Sequence, residues 1–444
     1  MAACVHSPAQ EFSEPAILTM AETGPYSIVE RSDWRRYNNG KYIGLVRHEV
    51  RASIIPKPVE KGNNTSNGTI LYQGNFFVLE NTLRDMQQSA QAVDAVIPVS
   101  FQIRGNGTIT IENDQGFPTL RGFPTFPTQK VIPGFRWRAP GNRAVDPLNT
   151  GQPVIVPFTA EYEYRGIEVY KNIQVHRIYA AYATQYQNSS GGQGFARVQG
   201  SHKVDILIQA ADGLPLFMRD NLDETYTWPD GSTVRFTGFT LTFGAGIVPM
   251  DRGAVITALG NTLGLEHLPD PETIVFGQEP PPELPSAPTA GVLEPGPSEA
   301  EDQAPVTPPQ KPIFNTMDIQ NSAIDLVPVP EGIRLTIKDI RFIPDSAEFL
   351  PAERPRLDIL AEALKQVPER SFLVEGHTAA TGRPDGELEL SIERAKRMVE
   401  ELVSRGIGAD RFIYKGWGGT RPIGDNSTNA GRSLNRRVEI TILE

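Results

Sequence analysis

The chain has 444 residues, 39% of them apolar, so it is too long for one ordinary domain and apolar enough to bury real cores. Its formal net charge of −11 argues against nucleic acid as a main partner, because phosphate binding needs a positive surface. A single cysteine, Cys4, excludes an internal disulfide, and no apolar run approaches the ~20 residues of a transmembrane helix.

In chain order, residues 1–22 read as a flexible leader, small and polar without periodicity. The start, MAACVHSPAQ, has neither a basic nor an apolar export region, so either the protein stays in the cytoplasm or its signal has been trimmed. MAAC resembles the end of a bacterial lipobox, which makes Cys4 a lipid-anchor candidate; a free cysteine in a loose terminus is the plain alternative.

Residues 23–250 are rich in strand signals. FQIRGNGTITI (101–111) alternates on both sides of Gly105-Asn106-Gly107, the pattern of a hairpin. ETYTWPDGSTVRFTGFTLTFG (224–244) repeats the design around Pro229-Asp230-Gly231. Residues 158–186 are dense in Tyr, Val and Ile, as strands prefer. A helix is expected over 80–96, where Leu83, Met86, Ala90 and Val93 share a face. The whole reads as two tandem β-rich modules, 23–150 and 151–250. GFPTLRGFPTFP (116–127) sets its phenylalanines on a proline-stiffened loop, either as a contact surface or tucked into the module's own core. Asp220, Asp223 and Glu224 could bind a cation, with a solvated turn as the default.

The composition then changes. Residues 253–310 carry no Lys or Arg but nine Asp or Glu, and 280–312 hold eleven prolines. Proline fixes φ and lacks a backbone donor, so residues 251–317 are expected to be an acidic, Pro-rich linker, semi-extended at ~3.1 Å per residue where proline dominates. From 318 a folded pattern returns: strands at 332–337, 371–376, 411–416 and 437–443, with helices over 353–367 and 390–407. Their alternation predicts a small α/β sandwich in the order βαβαββ.

FIPDSAEFLP (342–351), VEGHTAATG (374–382), LSIERAKRMVEELVSRGI (390–407) and NRRVEI (435–440) stand in an order and spacing that resemble the OmpA-like C-terminal domain, the peptidoglycan-associating module of envelope proteins. The resemblance covers residues ~320–444, and the overall combination resembles a spirochaete-type OmpA-family protein. It implies a pocket for the diaminopimelate of a stem peptide, with an aspartate taking the ammonium and an arginine taking the carboxylate. Arg394 stands at the arginine position, but the aspartate position, fifteen residues earlier, is Ala379. Glu387 stands where the family often has asparagine. Losing the acid removes a charge-assisted bond worth ~1.5–3 kcal/mol, so conventional diaminopimelate binding is expected to be lost. Asp385, Glu387 and Glu389 are the nearby acids that could substitute, and a wall built on ornithine would favour a rearranged acidic site. His377 either tunes the site or bonds the loop backbone. Thr378 either reaches the ligand or shapes the turn. Arg394 either takes the carboxylate or pairs on the helix surface. Asn435 and Arg436 are expected to pin the last strand, leaving Arg437 as the pocket candidate of that trio.

No catalytic constellation, zinc spacing or phosphate loop stands out, so no catalytic residue, metal or cofactor is assigned. The expected protein is a non-enzymatic envelope component in the periplasm, associated with the wall or outer membrane. Its partners would be peptidoglycan or a modified wall component and other envelope proteins. Two rival classes stay open: an outer-membrane barrel with a wall anchor, and a wall-modifying enzyme targeted by the tail.

Overall fold

Long stretches of strict apolar–polar alternation build the N-terminal half, and their register shows where each side chain points. The computed structural model describes residues 14–21, 24–56, 69–79, 91–148, 150–187, 194–247, 250–275, 324–343 and 346–444. Cys4 and the proline-densest stretch, 280–312, lie outside them. The chain divides into two units, one of residues up to Asp251 with 409–414 and 442–444, the other of Arg252–Gly408 with 415–441.

The N-terminal unit is made of β1 (Tyr26–Asn38), β2 (Lys41–Pro56), β3 (Thr69–Leu79), β4 (Gln91–Arg104), β5 (Ile109–Ile111), β6 (Leu120–Arg121), β7 (Arg136–Val145), β8 (Val154–Tyr170), β9 (Ile173–Gln187), β10 (Arg197–Gln209), β11 (Pro215–Thr227) and β12 (Thr233–Gly246). Each pairs antiparallel with its sequence neighbour except across β5–β6, and β1 pairs with both β2 and β12. The order is therefore β5-β4-β3-β2-β1-β12-β11-β10-β9-β8-β7-β6. The expected division near 150 does not hold: β7 and β8 pair across it, and β1 and β12 stitch the two ends of the unit together. One core cluster joins Val50, Ile54, Tyr72 and Phe101 from one half of the sheet to Val175, Leu207 and Leu216 from the other, so the sheet wraps over its own apolar face.

On β8 the inward Val156, Phe158, Ala160, Tyr162 and Tyr164 are buried, while Pro157, Thr159, Glu161 and Arg165 are exposed. Apolar inside and polar outside is the reverse of a lipid-facing barrel. Both expected hairpins form, at β4–β5 and β11–β12. The helix expected over 80–96 is corrected where it can be seen: 91–96 belong to β4, and 80–90 lie outside the described residues. The leader is corrected in part, since Ala16 bridges to Val131 and Leu18 sits in the core. Phe123 and Phe126 of the Gly-Phe-Pro-Thr stretch are buried, and Phe117 packs on Phe76.

The chain after Asp251 forms α1 (Arg252–Leu263), β13 (Ile324–Val329), β14 (Gly332–Lys338), α2 (Arg354–Lys365), β15 (Phe372–Gly376), α3 (Pro384–Ser404), β16 (Phe412–Gly416), α4 (Asn429–Asn435) and β17 (Arg437–Leu443). Two corrections follow. The expected linker begins with α1, which packs against α2, and the Val275 amide bonds the Pro328 carbonyl on β13, so 252–275 are folded. The order is ββαβαβαβ after α1, because β13 and α4 join the expected βαβαββ. β13 pairs antiparallel with β14, and β17 is hydrogen-bonded to both β14 and β15. Leu357, Leu360, Ala361 and Leu364 of α2 and Ala395, Met398, Val399 and Leu402 of α3 are buried, as the 3.6-residue period predicts.

Candidate functional site

The loop after β15 is fixed by glycines that allow close approach to α3. A Cβ on Gly376 would collide with the Ser391 carbonyl, and one on Gly416 with the Ser391 hydroxyl and the Ile392 amide. Ser391 is fully buried; its hydroxyl donates to the Leu388 carbonyl at 2.7 Å and accepts from the Gly418 amide at 2.9 Å. The Trp417 amide bonds the Gly376 carbonyl, and the Thr378 amide bonds the Gly418 carbonyl. Residues 376–378 and 416–418 are thus laced together over the turn of α3 that leads to Arg394.

The following residues are clasped from two sides. The Ala380 amide donates to Asn426 Oδ1 at 3.1 Å. Glu387 Oε1 accepts from the Thr381 amide, the Thr381 hydroxyl at 2.9 Å and the Arg383 amide at 3.1 Å. Burial alone would raise the Glu387 pKa, but these bonds outweigh it and hold the carboxyl below its ordinary range. Glu387→Ala is expected to raise amide exchange at Thr381 and Arg383 by about 10–100-fold, the equivalent of ~1.5–3 kcal/mol for bonds to a charged acceptor. Hydrogen exchange on the full-length chain measures it, and unchanged protection would refute this role.

Between the laced and clasped segments sits Ala379, 5% exposed. Thr378 is buried, and its hydroxyl has no hydrogen-bond partner among the described residues. Arg394 is buried on α3; its Nε donates to the Ser346 carbonyl at 3.3 Å and its guanidinium lies 4.6 Å from the Phe342 ring centre. Asp385 and Glu389 are exposed on the same helix.

His377 does not bond the loop backbone through its ring: both ring nitrogens lack a hydrogen-bond partner among the described residues, and Nε2 is 3.8 Å from Glu439. Burial first, then the Arg437 charge, pushes its pKa down to about 3, so the ring is neutral. Arg437 is held inside, with Nε on Glu439 at 2.7 Å and Nη1 on the Arg421 carbonyl at 3.0 Å. Asn435 pins a loop: it accepts from the Ile423 and Gly424 amides and donates to the Gly424 carbonyl and Asn426 Oδ1. It thereby sets the Asn426 oxygen that holds Ala380.

The family model described as the OmpA family matches residues 341–436. These residues are an OmpA family domain. Among proteins similar to the OmpA domain is the Peptidoglycan-binding protein ArfA of Mycobacterium tuberculosis, 36% identical over 144 residues, 32% of this chain and 41% of the relative. Another is the Probable lipoprotein YiaD of Escherichia coli, 38% identical over 104 residues, 23% of this chain and 48% of the relative. The chain thus spans less than half the length of these two curated relatives. A solved outer membrane protein from Borrelia burgdorferi is 34% identical, covering 28% of this chain and 100% of that one, with a TM-score of 0.24.

Proposed function

We propose that this chain is a non-enzymatic cell-envelope protein whose OmpA domain keeps the carboxylate-binding half of a diaminopimelate site and has lost the ammonium-binding half. Peptidoglycan carrying conventional diaminopimelate is then held weakly. The observation that carries this reading is the buried methyl of Ala379 at the expected acid position, while Glu387 Oε1 already accepts three hydrogens from Thr381 and Arg383. A guanidinium still suits a carboxylate, and Arg394 is fixed on a rigid helix. An unmatched ligand ammonium costs at least the ~1.5–3 kcal/mol of the lost bond, a tenfold to hundredfold weakening.

The reading places the protein in the periplasm, at the wall or outer membrane, with the N-terminal sheet free for wall, glycan or protein contacts. The proteins it resembles are named peptidoglycan-binding protein, lipoprotein and outer membrane protein, which fits that place. The test is calorimetric titration of the full-length chain with muropeptides carrying diaminopimelate or ornithine. Weak diaminopimelate binding is expected, and tight binding would overturn the reading.

A further inference from the structure

The tip of the β1–β2 hairpin differs in charge from the chain as a whole. Residues 31–47 carry Arg31, Arg35, Arg36, Lys41 and Arg47 against one acid, Asp33, in a protein of formal net charge −11. Asn39 and Gly40 both take positive φ, 48° and 77°, as the tight turn between two twisted strands requires. The Asn39 amide donates to the Thr233 carbonyl at 2.9 Å, and Asn39 Oδ1 accepts from the Thr233 amide at 2.7 Å, so the tip is tied to β12. The β1–β2 register shifts between Arg36 and Tyr37, which leaves Ile43 without an opposite residue on β1.

The inward side chains of this hairpin are used by the core: Trp34 and Val46 pack beside Phe236. The rest of the tip is not. Arg35 lies opposite Leu45, and Tyr37 lies opposite both Tyr42 on β2 and Arg235 on β12. The Tyr37 and Tyr42 rings are 5.5 Å apart, and the Arg235 guanidinium lies 5.8 Å from the Tyr37 ring centre. Tyr42, Ile43 and Leu45 are 51%, 55% and 43% exposed, three large apolar side chains in four positions left in water. The acids nearby are answered from within: Asp33 by Arg47, Glu49 by Arg31 and Arg51, and Asp223 by Arg235. Arg35, Arg36 and Lys41 have no carboxylate partner among the described residues, and Arg36 Nε donates to the neutral Asn38 Oδ1 at 3.0 Å. Asp230, on the adjoining β11–β12 turn, subtracts one charge and leaves these cations in excess.

We propose that this hairpin tip docks on an anionic phospholipid surface. Ile43 and Leu45 enter the boundary of the acyl chains, Tyr42 sits at headgroup level, and Arg35 and Lys41 reach the phosphates. Each part of the tip has a match there. Apolar side chains gain by leaving water, a tyrosine ring gains with its hydroxyl still wet, and unpaired cations near an anionic leaflet are attracted to it. A soluble polyanion would answer the cations and leave Tyr42, Ile43 and Leu45 in water. A second copy of the same tip would cover the apolar side chains and bring like charges together. The surface uses nothing of the OmpA domain, so vesicle binding and muropeptide binding succeed or fail separately.

The test is flotation of the full-length chain with vesicles of phosphatidylcholine alone or with roughly one-third phosphatidylglycerol. Binding to the anionic vesicles is expected, about tenfold or more weaker on the neutral ones, and weakened by added salt. The paired changes Arg35→Gln with Lys41→Gln, and Ile43→Ser with Leu45→Ser, should each weaken binding about tenfold or more. All four side chains are exposed, so both variants should keep the natural chain's urea midpoint. The proposal is overturned if the anionic vesicles do not bind, if both vesicle types bind equally, or if either variant binds as the natural chain does. Loss through the charge changes alone would mean adsorption of any polyanion. Self-association abolished by the Ile43 and Leu45 changes, with vesicles left unbound, would make the tip an interface between copies; each of these two results also overturns it.

Discussion

Ala379→Asp is expected to tighten binding of a diaminopimelate muropeptide to the full-length chain by about 10–100-fold. The gain follows from a charge-assisted bond of ~1.5–3 kcal/mol, at ~1.4 kcal/mol per decade. The backbone is ready for it. The Thr378 and Ala380 amides are anchored to Gly418 and Asn426, so the Cβ direction at 379 is fixed before the ligand arrives. Little ordering entropy then offsets the new contact. The same burial means the free variant carries an uncompensated carboxylate, so its own stability should fall slightly until ligand binds. Ala379→Asn, with the shape but not the charge, should gain much less. Arg394→Ala in the Ala379→Asp background should erase most of the gain, because amine and carboxylate sit on one carbon of the ligand and each charge positions the other. A double-mutant cycle read by calorimetry separates these terms. No gain from the aspartate would mean that another acid already serves the ammonium, and the lost-half reading would fall.

The OmpA domain was largely legible because its helices bury continuous stripes and its site residues sit at fixed spacings. Leu357, Leu360 and Leu364, or Met398 and Leu402, announce a helix by period alone. β13 escaped because Pro328 interrupts IDLVPV beside a proline-rich stretch. α4 escaped because seven residues are too few for a period, although Thr428, which accepts from the Gly431 amide, is a readable N-cap. The site's partners were readable by position, but the Glu387 clasp was not, since it depends on the loop folding back. In the N-terminal unit the hairpin turns were visible and the pairing of β1 with β12 was not, because nothing local encodes a contact about two hundred residues apart. Val93 fitted a helical face only while 97, 99, 101 and 103 were left out; with them the period is two. Asp220 and Glu224 looked like a polar turn. Their spacing with Leu222 and Tyr226 places all four on the inward face of β11, and Asp223, on the outward face, pairs with Arg235. Charged residues at the apolar phase of a strand were the available signal.

That inward pair makes Arg143 a side chain on which the N-terminal unit depends. Glu224 is 1% exposed; Arg143 Nη2 and the Tyr226 hydroxyl both bond it, and His202 stands 3.5 Å away. Arg143→Met should destabilise the unit by about 3–5 kcal/mol, since it leaves a buried carboxylate without its cation. Adding Glu224→Gln should recover much of that loss, because the pair as a whole contributes far less than either half stranded. The pH profile gives a second signature. Burial alone would raise the Glu224 pKa, but the Arg143 charge foremost holds it down to about 2. A depressed carboxylate stabilises the fold above its unfolded pKa of ~4.5, and that contribution, on the order of 3 kcal/mol, is lost as pH falls from there toward 2. Glu30 has the opposite sign. Raised to about 7, it stays protonated in the fold while the unfolded chain ionises, so stability drains as pH rises from ~4.5 to 7. The two slopes meet in a stability maximum near the unfolded carboxyl pKa, ~4.5. Three of the four tryptophans, Trp34, Trp137 and Trp228, lie in this unit, so urea midpoints read by tryptophan fluorescence follow it. In Arg143→Met the acid-side slope should flatten, because the unpaired Glu224 carboxyl moves up toward neutrality. An unaltered acid limb in that variant would show that some other group holds the Glu224 charge.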